Sequence, residues 1–118
     1  MLVYLDADVL LNAFLRGPNT RRAQRVIDQA AELAFSNWTR AEVASALSQR
    51  VRRRLSAAEE ARAIIGRIDA WLDDRREVRV EDADIDAATR LLERFDLKLR
   101  TGDALHLAIS GRLDAHLA

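Results

Sequence analysis

Residues Tyr4 to Asn12 read YLDADVLLN. Leu2 and Val3 extend the apolar run on its N-terminal side, so Leu2 to Leu5 is short enough for a buried strand. Beyond the two aspartates, Val9, Leu10, Ala13 and Phe14 recur at helical spacing. The stretch thus predicts a strand that passes into a helix through Asp6 and Asp8. Carboxylates at the end of an apolar run are costly to bury. They need a reason, and an α/β sheet offers one, because its ligands bind outside the carboxyl ends of the strands.

The rest of the chain repeats the alternation. Gly17-Pro18-Asn19 ends the first helix, and a second runs from Thr20 to about Ala31. Leu33 to Ser36 is a second short strand. Thr39-Arg40-Ala41-Glu42 has the form of a capping box and opens a helix from about Arg40 to Arg54. Ser56-Ala57-Ala58-Glu59 is another, ahead of the stripe Ala61, Ile64, Ile65, Ile68 and Trp71 or Leu72. Val78 to Val80 reads as a strand, and Asp82 caps a helix whose face is Ile85, Ala88, Leu91, Leu92 and Phe95. After a connector at Leu97 to Leu99, Thr101-Gly102-Asp103 opens a last helix carrying Leu105, Ala108, Ile109 and Leu113. Strands alternating with helices predict an α/β fold around a mainly parallel sheet. No linker or repeat divides the chain, so residues 1–118 are expected to form one domain.

Composition narrows the function. Hydrophobic residues make up 49% of the 118, ordinary for a globular protein. No apolar run approaches the roughly 20 residues of a membrane span. The N-terminus lacks a basic segment ahead of its apolar residues, which argues against a secretory signal. Cysteine is absent, which excludes disulfides and thiolate metal sites and fits a cytoplasmic location. Nineteen basic residues balance nineteen acidic ones, so net charge does not point to nucleic acid. Arg50, Arg52, Arg53 and Arg54 are nevertheless clustered, and arginine suits phosphate. They are candidate RNA contacts, or a solvated helix end where cations suit the dipole.

Three acids share one context. Asp6 follows the first strand, and Glu42 and Asp103 sit near the starts of predicted helices. Each alone can be a helix-capping residue, as can Asp8. If the helices start at one edge of the sheet, the three converge. Converging carboxylates repel unless they share a cation. Hard oxygen ligands suit Mg²⁺ or Mn²⁺, and an acidic metal pocket suits phosphate-ester chemistry.

At this point the residues resemble a known family. YLDADVLLNAF, NWTRAEVASAL and LRTGDALHLAI are similar to blocks of the PIN-domain ribonucleases, most closely the VapC-like toxins of bacterial toxin–antitoxin modules. The blocks follow the family's order and approximate spacing over nearly the whole chain. The resemblance implies a three-layer fold, with helices on both faces of a mainly parallel sheet, and cleavage of RNA with Mg²⁺ or Mn²⁺. By position, Asp6, Glu42 and Asp103 match the family's first three acidic ligands. Asp8 adds an acid at the rim, and Thr101 matches a supporting hydroxyl. A fourth acid, in a Thr-x-Asp, would follow Ala118, so the C-terminal strand and helix are expected to be missing. The family also implies a homodimer and a cognate antitoxin. On this reading water attacks the phosphorus in line and expels the ribose 3′ oxygen.

His106 is expected to orient or pack rather than act as a base. Trp71 fits the core stripe, and Trp38 supports the segment before Glu42. The alternative function is a PIN-like interaction module that has lost catalysis with the fourth acid. A phosphoacceptor receiver domain also has acids after its first strand, but no mid-chain Asp after a third strand or matching late Lys is present here.

Overall fold

Strand β1, Leu2–Tyr4, sits inside a parallel sheet in a computed structural model that describes residues 1–118. Its neighbours are β2, Glu32–Ser36, on one side and β4, His116–Leu117, on the other; β3, Arg76–Val78, lies outside β2. Tyr4 is level with Ala34 on one side and Leu117 on the other. Six helices connect and cover the strands: α1 Ala7–Phe14, α2 Thr20–Gln29, α3 Asn37–Arg52, α4 Ala58–Leu72, α5 Asp82–Leu92 and α6 Thr101–Leu113. None is long and apolar enough to cross a membrane.

Side chains alternate across β1, and this divides the core. Val3 and Leu5 join Leu10, Phe35, Val43, Leu47, Ile64, Ile68 and Leu72 in the larger cluster, formed with α1, α3 and α4. Tyr4 points the other way, into a smaller cluster with Ala88 of α5 and Ala104, Leu105 and Ile109 of α6. The result is the three-layer α/β architecture expected. The order β3-β2-β1-β4 reverses direction at β1, since the chain leaves it toward β2 and later returns on its other flank. The crevice for a ligand therefore lies at the carboxyl end of β1, and Asp6 is there.

Several local expectations are corrected. Helix α3 starts at Asn37, not Arg40. Its box is made by Ser36, whose Oγ accepts the Thr39 N–H at 3.1 Å, and by Thr39, whose Oγ1 accepts the Ser36 N–H at 3.2 Å. Ser36 ends β2 in extended geometry and so competes first for the cap. Glu42 is thereby released from capping and moves into the second helical turn. Helix α4 is preceded by Ala57 without a side-chain cap, because Ser56 Oγ accepts from Arg50 Nε instead. Strand β3 ends at Val78, and the Val80 N–H is taken by the Asn37 side chain at 2.9 Å. A C-terminal strand is present, against expectation: His116 and Leu117 pair with Val3 and Tyr4.

The inner face of α5 also differs. Ile85 is 49% and Phe95 85% exposed, while Asp84 is buried. Arg112 of α6 explains this, donating from Nε to Asp84 Oδ1 at 2.8 Å and from Nη2 to Oδ2 at 2.9 Å. Burial pushes the Asp84 carboxyl up, but Arg112 and the Glu81 N–H more than offset it and hold it below the usual carboxylate range. Asp84→Ala is expected to cost about 3 kcal/mol, the low end for a broken buried pair because Arg112 keeps contact with water. The sign follows from the lowered value. The pair's contribution is complete above the ordinary carboxylate pKa and is lost as pH falls through the depressed one. Denaturant melts should show the variant's deficit at neutral pH and see it shrink in acid.

Candidate active site

Asp6 is the residue that stops β1 and starts α1. Its Oδ1 accepts the Val9 N–H at 3.0 Å, so Asp6, not Asp8, caps the helix. Its own N–H donates to the Ala118 carbonyl at 3.1 Å, which ties it to the end of β4. Asp6 is half-buried, and Asp8, in the first turn of α1, is exposed. Burial pushes the Asp6 carboxyl above its ordinary value. The Val9 N–H lowers it, the neighbouring Asp8 charge raises it, and His106 lowers it again. The net rise means that the anion lacks full compensation here.

Glu42 reaches the same edge from α3. His106 Nε2 of α6 donates to its Oε1. The other oxygen faces α6, where a Cβ built on Gly102 would fall only 2.7 Å from Oε2. Gly102 is therefore a cradle for that carboxylate, and close approach rather than unusual backbone requires glycine. The buried Trp38 Nε1, which has no hydrogen-bond partner, is 3.8 Å from the same point.

Behind His106 the sheet supplies a buried hydroxyl network. The Tyr4 hydroxyl lies 2.8 Å from His106 Nδ1, 2.7 Å from Ser36 Oγ and 3.3 Å from Thr39 Oγ1. Thr39 donates its proton to the Leu5 carbonyl. Burial raises the Tyr4 pKa although Ser36 and Thr39 pull it down, so the phenol stays neutral and able to donate.

In front of Glu42 a cleft of about 330 Å³ opens between α1 and α3. Asp8, Leu11, Ser45, Gln49 and Arg100 border it. The site thus couples acids at the end of β1 and on α3 with an arginine just before α6.

The predicted residues are distributed as follows. Asp6, Asp8 and Glu42 share the switch-point edge. Thr101 and Asp103 occupy the first turn of α6, next to Gly102, and both are exposed. No three His, Asp or Glu side chains stand close enough together to share one metal ion. Arg50, Arg52, Arg53 and Arg54 lie at the far end of α3, roughly 15 Å of helix beyond Glu42. Tyr4, Ser36, Arg100 and Gly102 were not foreseen as site residues. Ser36 carried a readable signal, a serine three residues before a threonine at a strand end. Arg100 carried none, being one arginine among many.

The donor chemistry fits a hard divalent cation. Every acid at this edge offers oxygen, Asp6 holds an undercompensated charge, and the Gly102 cradle keeps a Glu42 oxygen clear of side chains. Magnesium commonly binds through one or two carboxylates and keeps several waters, so a third acid need not stand ready.

Comparison with known proteins now decides the family. The PIN domain profile matches residues 3–118. The chain belongs to the PIN domain family. Several solved structures share its fold at low identity. VapC20 of Mycobacterium tuberculosis, described as a Sarcin-Ricin loop cleaving toxin, superposes with a TM-score of 0.74 at 17% identity, over 96% of this chain and 84% of that one. A toxin–antitoxin complex from Klebsiella pneumoniae gives 0.72 at 18% identity, over 98% and 82%. VapBC2 of Rickettsia felis, bound to a promoter DNA fragment, gives 0.69 at 16%, over 99% and 86%. No curated protein sequence matches significantly.

Proposed function

We propose that this PIN domain is a metal-dependent endoribonuclease, a VapC-like toxin held in check by a cognate antitoxin and working as a homodimer in the cytoplasm. The observation that carries the reading is Asp6 at the sheet's switch point with Glu42 on the same edge, both within electrostatic reach of the Tyr4 hydroxyl. The solved neighbours, among them a toxin and a toxin–antitoxin complex, favour the same class.

Asp6 and Glu42 would hold Mg²⁺ or Mn²⁺, directly or through its waters, and Asp103 would join them only by a shift of its exposed side chain. When bound, such an ion supplies charge neutralisation at the phosphate and a more acidic water. The residues of the chain do the rest. Asp6, rigid as a helix cap, sets one side of the site. Glu42, pinned by His106, sets the other. Asp8 lies at the rim, and the Thr101 hydroxyl can hydrogen-bond at the mouth. Arg100 offers a cation for a neighbouring phosphate of the substrate. Arg50, Arg52, Arg53 and Arg54 would serve an RNA long enough to run along α3. No side-chain nucleophile is needed, consistent with the absence of cysteine.

The second reading, an interaction module without catalysis, draws on the lack of a preassembled group of three acids. One experiment separates them. Purified protein is incubated with RNA and Mn²⁺, then with EDTA added. Cleavage that needs the ion and stops with the chelator supports the nuclease. Mn²⁺ at about 100 times its Kd should also raise stability by about 2.7 kcal/mol. Neither cleavage nor stabilisation leaves the interaction module.

A further inference from the structure

Tyr4 is fully buried, and nothing in the core requires its hydroxyl. Phenylalanine would fill the same space among Ala88, Ala104, Leu105 and Ile109. Yet the hydroxyl meets three polar groups, and one is the imidazole that touches Glu42.

With a neutral imidazole, one arrangement of the protons satisfies every member of this network. The Glu42 carboxylate only accepts, so His106 Nε2 carries a proton toward it. A neutral imidazole then has a bare Nδ1, which must accept. The Tyr4 hydroxyl, 2.8 Å away, is its only donor. The Thr39 proton is spent on the Leu5 carbonyl, and Thr39 Oγ1 and Ser36 Oγ each accept a backbone N–H. The Ser36 proton is left to donate to the Tyr4 oxygen at 2.7 Å. Donation therefore runs from Ser36 to Tyr4 to His106 to Glu42. His106 is 4% exposed, and its ring lies against the Tyr4 ring with centroids 5.4 Å apart.

We propose that Tyr4 is a positioning residue that acts through His106. It fixes the imidazole tautomer and so holds Glu42 with one oxygen committed and the other turned to the Gly102 cradle. This rests on the metal-nuclease reading above, since an oriented carboxylate is of use where that carboxylate binds something. The Ser36–Thr39 capping box anchors the relay to the sheet edge, which explains why the cap of α3 is buried.

The test reads the tautomer first, by nitrogen NMR of the imidazole in metal-free protein. The wild type is expected to carry the proton on Nε2. Tyr4→Phe, checked for folding by thermal melt, is expected to weaken that preference, since Glu42 alone then enforces it. Its Mn²⁺ affinity, measured by calorimetry, should fall about 10-fold, and that of His106→Leu about 100-fold, the range for groups behind a metal ligand. His106→Gln, which keeps an N–H for Glu42, should recover most of the loss. A proton on Nδ1 in the wild type overturns the proposal. So do folded Tyr4→Phe and His106→Leu proteins with wild-type Mn²⁺ affinity, and so does a His106→Gln protein as weak as His106→Leu. A wild type that binds no Mn²⁺ fails at an earlier step, and takes down the metal reading and this proposal together.

Discussion

Asp6→Asn is expected to cut RNA at least about 100-fold more slowly than the wild type, beyond the loss typical of groups one step behind a metal ligand, and to melt at a higher temperature. The two effects have one cause. Asn keeps the size of Asp and remains a good N-cap, so the bond to the Val9 N–H survives and α1 starts as before. Only the charge is lost. That charge is half-buried, and burial outweighs the groups that compensate it, so the folded protein takes up a proton at Asp6 more readily than the unfolded chain does. A raised pKa has a definite sign. The cost to stability is present above the folded value and disappears as pH falls to the ordinary carboxylate range. The stabilisation by Asn should therefore be visible in melts at neutral pH and vanish in acid. In the wild type, saturating Mn²⁺ should remove the same cost by binding, while the variant should not respond to the ion. An Asp6→Asn protein that keeps wild-type cleavage would end the assignment of Asp6 as a ligand.

The physics behind that prediction also explains what could be read from the chain. Asp6 was legible because its pattern is local: an apolar strand, a carboxylate and a helical period fall within a dozen residues. The layers were legible for the same reason, since stripes such as Ala61, Ile64, Ile68 and Leu72 record which face is inward. Glu42 was given the wrong local role. Two serine or threonine boxes overlap between Ser36 and Glu42, and only the geometry of the strand end decides between them. Asp84 was missed because its partner, Arg112, is 28 residues away and no local rule links them. Phe95 was placed on a packed face because the helical period was extended past Leu92, where α5 stops. The Tyr4–His106–Glu42 chain lay further out of reach. It joins a strand to two helices across 102 residues, and tyrosine in an apolar run reads as core until its hydroxyl has partners.

Gly102 carries the other large expected effect, and it separates stability from function in a different way. The residue lies in the first turn of α6 with ordinary helical backbone, so alanine is conformationally acceptable. Alanine should even favour the helix, by up to about 1 kcal/mol. The obstacle is its methyl group, which would fall 2.7 Å from Glu42 Oε2, closer than two such atoms can stay. The atom in the way is the end of a flexible side chain, so the strain is relieved by moving the Glu42 carboxylate and not the helix. Movement of that carboxylate strains its bond to the buried His106 Nε2 and disturbs any site it helps to build. A displacement of about 1 Å in a reacting group can cost about 100-fold in rate. Gly102→Ala is therefore expected to melt within a few degrees of the wild type, as the helix gain and the strained His106 bond offset one another, to bind Mn²⁺ more weakly, and to lose about two orders of magnitude in RNA cleavage. Glu42→Gln combined with Gly102→Ala makes the cause visible. If the methyl acts only by displacing the carboxylate, the double variant should cleave no more slowly than Glu42→Gln alone, since the interaction has already been removed. Additive losses would mean that the methyl blocks the substrate itself. A Gly102→Ala protein with wild-type metal affinity and cleavage would show that Glu42 is not needed where it now stands.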